Sequence, residues 1–454
     1  MHIDVIVIGS GQAGVPLATR LVKAGKKVLL AERGDLGGTC VNVGCTPTKT
    51  MMASARAAHV ARTAGRLGVK VGEVTVDLAA VVDRKDAIVR RWSEGVGKRL
   101  QAEGLTLARG HARLVGERKV EVAGQQHSAE TIILNTGARP VIPPLPGLAS
   151  VPFLDNASVM RLRELPAHLI VLGGGYIGCE FGQMFRRFGA RVTIVDRNAR
   201  LLSKSDPEIS DALEGAFRSE GIGLELSTKV ASVSGRAGAI TVHLEGGKEL
   251  AGSHLLVAVG RRPNTDDLGC ASAGVELDAK GSIVVDDHYQ TKAPGIYAVA
   301  DVIDGPQFTH TSWDDHRLLF ETLMGRPGRG RGGRFIPFTA FTDPQVSGVG
   351  LTEAEAKKRG VAYEAATMPF GNIARATELD ETAGMMKLLI DPKTERVLGA
   401  AIVGAEAGEL IHVFVTLMQA GAPARAIVDA EFVHPTFCEG LQSLVMKLPR
   451  YALS

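Results

Sequence analysis

The chain has 454 residues, enough for about three domains, with 45% hydrophobic and 22% charged residues, the balance of an ordinary globular protein. A net charge of +3, from 52 Lys and Arg against 49 Asp and Glu, excludes a dedicated polyanion binder, and aromatics at 5% argue against recognition of stacked bases. No apolar run reaches the ~18 residues of a membrane span, and the 54 glycines follow no period, so they mark places of close backbone approach.

Met1-His2 leads directly into residues 3–8, with no basic region or cleavage site, so a cytoplasmic protein is the expectation. Residues 3–8 are apolar except for Asp4, which predicts a strand buried on both faces of a parallel sheet. The run enters Gly9-Ser10-Gly11-Gln12-Ala13-Gly14, a helical pattern over 15–24 stopped by Gly25, and a second strand over 27–31 that ends at Glu32. In such a unit the first glycine permits the tight turn, the second lets backbone approach a pyrophosphate, and the third lets helix pack on strand. The helix N-terminus offers free N–H groups to phosphate, and Glu32 offers a carboxylate to ribose hydroxyls. Glycines alone are a weak signal; strand, glycines, helix, strand and acid in that order predict a dinucleotide site.

Gly37-Gly38-Thr39-Cys40-Val41-Asn42-Val43-Gly44-Cys45-Thr46-Pro47-Thr48-Lys49 follows. Pro47 suits the first turn of a helix predicted over 50–64, which places Cys45 near a helix N-terminus, where the thiolate is favoured, with Lys49 one turn on. Five cysteines (Cys40, Cys45, Cys179, Cys270, Cys438) are too few and odd in number for a secreted disulfide framework, and no second Cys/His pair completes a zinc site. A redox-active Cys40/Cys45 pair beside a bound nucleotide is the reading preferred over two structural thiols. The glycine device then recurs: strand 168–172, Gly173-Gly174-Gly175-Tyr176-Ile177-Gly178, helix 179–188, Gly189, and strand 191–195 ending at Asp196. The third glycine precedes the acid by 18 residues in both copies (14 to 32, 178 to 196), so two dinucleotides are predicted. Asp196 disfavours a 2′-phosphate, while Arg197 and Arg200 would welcome one; the balance leans toward NADH over NADPH.

The cysteine motif resembles the redox signature of the class I pyridine nucleotide–disulfide oxidoreductases, which include dihydrolipoamide dehydrogenase, glutathione reductase, mercuric reductase and soluble transhydrogenase. The resemblance runs over essentially the whole chain. It implies an α/β fold with two Rossmann-like dinucleotide-binding domains and a C-terminal α+β dimerisation domain. FAD would occupy a discontinuous domain, 1–147 and 263–325, NAD(P)H the domain 148–262, and the interface domain would span 335–454. Cys45 would face the flavin, Cys40 would meet the substrate, Lys49 would lie near the flavin and pair with Glu180, and Tyr176 would gate the nicotinamide. The implied dinucleotide contacts are Gly9, Gly11, Gly14, Glu32, Gly38, Thr39, Lys49, Thr136, Gly137, Asp301, Gly173, Gly175, Tyr176, Gly178, Asp196, Arg197 and Gly260, with no metal ligand. Ala300 departs from the family, which has glycine before that Asp.

His434-Pro435-Thr436 with Glu439 five residues after the histidine resembles the family's acid–base pair, which acts on the cysteines of the other subunit; a homodimer is therefore implied. Residues 325–334, with four arginines, read as a short solvated connector. Electrons would pass from NADH or NADPH through FAD to the cysteine pair, and on to a disulfide, thiol or soft metal ion. Mercuric reductases carry a C-terminal cysteine pair, whereas this chain ends Pro449-Arg450-Tyr451-Ala452-Leu453-Ser454. The stretches around Phe308 and Asn372 nevertheless look more like the mercuric reductase side of the family than like lipoamide dehydrogenases. Cys438, where the family commonly has serine, reads first as a volume-matched exchange with no role of its own, the alternative being a further thiol that assists a soft-metal or thiol substrate. The alternatives are a dihydrolipoamide dehydrogenase, a quinone or oxygen reductase, and a non-catalytic flavin redox sensor. No nucleic-acid or membrane partner is expected.

Overall fold

The computed structural model describes residues 3–102, 104–326 and 328–451. Met1, His2, Glu103, Pro327 of the expected connector, and Ala452, Leu453 and Ser454 lie outside them. Two compact units divide the chain: Met1–Met51, Ala79–Val141 and Gly260–Arg334 form unit 1, and Met52–Leu78, Ile142–Val259 and Phe335–Ser454 form unit 2.

Unit 1 opens with β1 (Val5–Ile8), α1 (Gly14–Lys23) and β2 (Val28–Glu32). All four residues of β1 are buried, as an apolar run in a parallel sheet requires. α1 turns Leu17, Ala18 and Leu21 inward at helical spacing and ends at Gly25, whose φ of +85° suits glycine. α2 (Gly38–Val43) and α3 (Cys45–Thr63) follow, then α4 (Leu78–Ala102), β3 (Thr106–Arg109) and β4 (Thr131–Leu134).

The chain then enters unit 2 and repeats the device as β5 (His168–Leu172), α5 (Tyr176–Phe188), β6 (Arg191–Val195), α6 (Pro207–Ser219), β7 (Gly223–Glu225) and β8 (His254–Val257). These strands form a parallel sheet in the order β7-β6-β5-β8. α5 buries Phe181, Phe185 and Phe188 and stops at Gly189.

Back in unit 1, β9 (Ile296–Ala298) completes a five-stranded parallel sheet in the order β9-β4-β1-β2-β3, and α7 (Thr309–Leu323) packs on α1. β1 lies between β2 and β4, so the first glycine turn opens at the carboxyl end of the strand where the winding reverses, the usual place for a ligand in such sheets. A two-stranded ribbon, Ala138–Pro140 against Arg261–Pro263, closes unit 1 where the chain leaves and returns.

The C-terminal part of unit 2 is a five-stranded antiparallel sheet: β10 (Phe338–Ala340), β11 (Gln345–Gly350), β12 (Glu364–Pro369), β13 (Met385–Ile390) and β14 (Val397–Gly404), ordered β10-β11-β14-β13-β12. α8 (Ala407–Ala420) and α9 (Glu439–Val445) bury Phe414, Leu441 and Leu444 with Met386, Leu388 and Ile402 of the sheet. The fold is thus α/β, with two Rossmann-like sheets and a C-terminal α+β sheet. Among the described residues no helix is long and apolar enough to cross a membrane.

Residues 325–334, expected as a solvated connector, are exposed at 325, 326, 328, 329, 332 and 333 but anchored by ion pairs. Arg326 pairs with Glu321, Arg329 with Asp314 at 2.8 Å, and Arg334, only 7% exposed, with Asp315 at 2.8 Å. Gly332 N–H donates to Asp287. The acids at 287, 314, 315 and 321 hold this basic segment against unit 1, so the solvent-exposed connector is also a strap.

Candidate active site

The two glycine turns are built alike. Gly9 and Gly173 have φ of +105° and +109°. A Cβ on Gly14 would lie 2.0 Å from the Gly9 carbonyl oxygen, and one on Gly178 would lie 1.8 Å from that of Gly173. Only glycine lets helix and strand meet that closely, which is the job predicted for the third glycine. Gly175 has nothing within 4 Å of a Cβ position, so the N-terminus of α5 opens onto free space. Glu32 accepts from Ser10 N–H (2.8 Å), Ser10 Oγ (2.7 Å) and Gly34 N–H (2.7 Å), which fixes its carboxylate at the end of β2 beside the first turn. Asp196 accepts from Gly174 N–H and, at 2.7 Å, from Asn198 N–H at the end of β6; Arg197 beside it is exposed. Arg200 is engaged by Asp211 at 2.8 Å.

The cysteines stand next to the first turn. A Cβ on Gly38 would reach the Gly11 Cα at 2.8 Å, so α2 starts against the glycine loop, with Thr39 exposed on it. Gly44 separates α2 from α3, and a side chain there would meet Thr39 O at 2.8 Å and Cys40 Cα at 3.1 Å. That close packing sets Cys45 beside Cys40. α3 begins at Cys45, five residues before the predicted start, and Pro47 still lies in its first turn, where its missing N–H costs no helical bond. Lys49, half-buried, follows one turn on.

The hydrogen bond to Cys45, burial and the charge on Cys45 push the Cys40 thiol well up. Cys179 and Cys270 are buried, with burial pushing both thiols up, that of Cys270 to about 11. Cys438 is half-buried against the core beneath the C-terminal sheet.

Two neighbours of the pair and one brace of the first turn were not singled out from sequence. Thr309, the first residue of α7, brings its Oγ1 to 3.3 Å from the Cys45 sulfur. Arg261 lies within electrostatic reach of both Cys45 and Asp301, and burial lowers its pKa from the usual guanidinium range. Asn135 donates to Gly9 O at 3.0 Å and braces the first turn. Asp301 follows Ala300, which takes a φ of +65° and donates its N–H to Asp315 at 2.9 Å. Burial pushes the Asp301 carboxyl up against the opposing pull of Arg261, and among the described residues no hydrogen bond reaches its carboxylate. Thr136 and Gly137 are tied to the returning chain: Thr136 Oγ1 donates to Asn264 O (2.9 Å) and Asn264 N–H to Gly137 O (2.9 Å). Gly260, at φ +144°, opens that return.

In unit 2, Glu180 is buried on α5 and accepts from Phe341 N–H at 2.9 Å. Tyr176, at the start of α5, packs against Phe338 with ring centroids 5.6 Å apart, and burial pushes its hydroxyl up to about 12. His434 Nδ1 lies 2.9 Å from Glu439 Oε2. Thr436 Oγ1 donates to Val433 O and accepts Glu439 N–H, so the short turn before α9 is self-braced. The His434 side chain is 70% exposed while Glu439 is 20% exposed, which leaves the ring edge facing outward from its carboxylate.

Residues 3–315 match the family described as pyridine nucleotide-disulphide oxidoreductase, and residues 336–445 match its dimerisation domain. The chain belongs to the pyridine nucleotide–disulphide oxidoreductases. It is 34% identical to mercuric reductase of Staphylococcus aureus over 97% of this chain and 81% of that one. It is 35% identical to dihydrolipoyl dehydrogenase of Thermus scotoductus over 99% and 98%. The Cu(II) complex of the HOCl-induced flavoprotein disulfide reductase RclA from Escherichia coli superposes with a TM-score of 0.90 at 33% identity, covering 98% of this chain and 99% of that one. The protein is an enzyme of this family, whose cofactors are FAD and NAD(P)H. The residues present fit those groups: two glycine cradles that a Cβ would fill, and the half-buried carboxylate of Asp301, which among the described residues accepts no hydrogen bond.

Proposed function

We propose that this enzyme reduces an organic disulfide or a soft metal ion at Cys40 and Cys45 with electrons from NADH. The observation that carries the reading is the placement of the pair: Cys45 at the start of a 19-residue helix, and Cys40 beside it on the short helix that begins against the first glycine loop. Unit 1 would hold FAD through Gly9, Gly11, Gly14, Glu32, Gly38, Thr39, Lys49, Thr136, Gly137 and Asp301. Residues 148–262 would hold the nicotinamide nucleotide through Gly173, Gly175, Gly178, Tyr176, Asp196, Arg197 and Gly260. The bound flavin supplies two-electron transfer between nicotinamide and disulfide.

The protein side of the cycle balances as follows. Two electrons and two protons convert the Cys40–Cys45 disulfide to two thiols. His434 of a second subunit, oriented by Glu439, takes the Cys40 proton. The Cys40 thiolate attacks a substrate disulfide, forming a mixed disulfide and releasing one thiolate, which the histidine protonates. Cys45 then attacks the Cys40 sulfur, re-forming the internal disulfide and releasing the second thiol. With a metal ion the same two thiolates would bind it. The His434–Glu439 pair favours the disulfide substrate, because proton transfer at Cys40 is what such a pair supplies. Lys49 and Glu180 would act as an ion pair near the flavin, and the reaction would run in the cytoplasm.

The test is turnover with NADH against small disulfides, lipoamide and thiol-complexed Hg(II) or Cu(II), for the parent, Cys40→Ser and Cys45→Ser. The reading expects both variants to lose at least about a hundredfold in kcat with the true substrate. Undiminished quinone or oxygen reduction in both variants, with no disulfide or metal turnover in the parent, would overturn it.

A further inference from the structure

We propose that Phe338 is a positioning residue for the nicotinamide nucleotide: its ring, seated over Gly348, latches the ring of Tyr176 at the start of α5, so that the nicotinamide half of the dinucleotide binds only by parting the two rings. The inference rests on the reading of residues 148–262 as the nicotinamide-nucleotide domain with Tyr176 as its gate.

One face of α5 is fastened along the segment 338–343. Tyr176, Glu180, Gln183 and Arg187 recur at helical spacing on that face. Glu180 accepts Phe341 N–H at 2.9 Å. Gln183 exchanges two hydrogen bonds with the Asp343 backbone, donating to its carbonyl at 2.6 Å and accepting its N–H at 2.8 Å. Arg187 pairs with the Asp343 carboxylate at 2.7 Å. Glu180, Gln183 and Arg187 are all buried, and their polar links already place the helix on the sheet. The link between Tyr176 and Phe338 is different in kind. It is a tilted ring contact, 5.6 Å between centroids and 55° between planes, at the helix end that would receive the dinucleotide. It therefore acts on the Tyr176 side chain and not on the position of α5.

The seat of Phe338 is built by the neighbouring strand. Phe338 of β10 pairs with Gly348 of β11. A Cβ on Gly348 would come within 2.7 and 2.9 Å of the Phe338 ring, so the ring lies across the place a side chain would fill. Tilted aromatic pairs attract beyond their buried area. A gate that admits the nicotinamide must leave this contact, so the free energy of the contact is subtracted from the binding of that half of the ligand alone. The ADP-ribose half would meet the glycine turn and Asp196, which the two rings do not touch.

The experiment measures binding of NAD+, and of ADP-ribose, which lacks the nicotinamide, to the FAD-loaded protein by calorimetry. Phe338→Leu keeps an apolar side chain over Gly348 and removes the ring; Phe338→Tyr keeps the ring. Phe338→Leu is expected to bind NAD+ about three- to tenfold more tightly with ADP-ribose unchanged, and Phe338→Tyr to match the parent for both ligands. In a Tyr176→Ala background the effect of Phe338→Leu on NAD+ binding should vanish, because it acts through Tyr176. NAD+ binding that is unchanged or weaker in Phe338→Leu would overturn the latch, and an equal shift for ADP-ribose would overturn it by showing a structural role only. A parent that binds neither ligand would overturn the nucleotide-domain reading and the latch with it.

Discussion

At the scale of single residues, the backbone explains more than the motif does. Ala300 holds a φ of +65°, a region that costs an L side chain roughly 1–2 kcal/mol, because its N–H is anchored on Asp315 and the turn must present Asp301. Ala300→Gly is expected to stabilise the protein by about 1 kcal/mol, read as a higher urea midpoint at unchanged slope. A lower midpoint would mean that the alanine methyl packs well enough to repay the strain. The sequence marks this position only through a departure from the family pattern. Glycines, cysteines, terminal acids and the His434–Glu439 spacing were legible because each job is local: a turn, a helix start, a five-residue reach. Thr309 and Arg261 were not, since each is 200 or more residues from Cys45 and only the fold brings them to it.

At the scale of elements, the strap of residues 325–334 shows what composition leaves out. Glycine and arginine read as a solvated spacer, but the acids that fix the arginines lie on separate elements, invisible to a local reading. Arg334 and Asp315 form a buried pair at 2.8 Å, and Asp315 also accepts Tyr289 Oη (2.7 Å) and Ala300 N–H (2.9 Å). Removing the arginine would strand that carboxylate. Arg334→Leu is expected to cost about 3–5 kcal/mol and to weaken FAD retention, measured by chemical denaturation and by flavin released on dilution. Unchanged stability would show that Asp315 needs no counter-charge.

A second cluster carries a pH signature. Buried Lys387 of β13 reaches Asp206 at 3.0 Å, Glu353 at 2.6 Å, and Glu208. Contacts with Lys357, Lys387 and Tyr363 lower the Glu353 carboxyl to about 2, below its unfolded value. Its stabilisation is therefore complete above about pH 4.5 and lost as pH falls toward 2. Lys387 is raised, so its share persists up to the ordinary lysine range and disappears only above it. Lys387→Met is expected to flatten the loss of stability between pH 5 and 2; an acid limb as steep as the parent's would place that loss in other carboxylates.

For the whole molecule, the proposal assigns the acid–base pair to one subunit and the cysteines it serves to another, supported by the exposed edge of His434 and the matched dimerisation domain. Cys40→Ser and His434→Ala should each be inactive as homodimers. Mixed and reassociated, they should regain up to about a quarter of parental activity, because half the dimers are hybrids with one intact site. No recovery in confirmed hybrids would put His434 on its own subunit's cysteines or outside the reaction. What the amino-acid order left unread is the substrate, since the side chains that would choose it are scattered along the chain.

The central claim is that the cysteine pair lies in the electron path. Its most direct test is an anaerobic titration of the FAD-loaded enzyme with NADH, then NADPH, following the flavin spectrum. The account predicts a long-wavelength thiolate-to-flavin band after two electrons, reached more readily with NADH, and full bleaching only beyond that point. Bleaching of the flavin at two electrons with no such band would contradict it, and would move reduction of quinones or oxygen to the front.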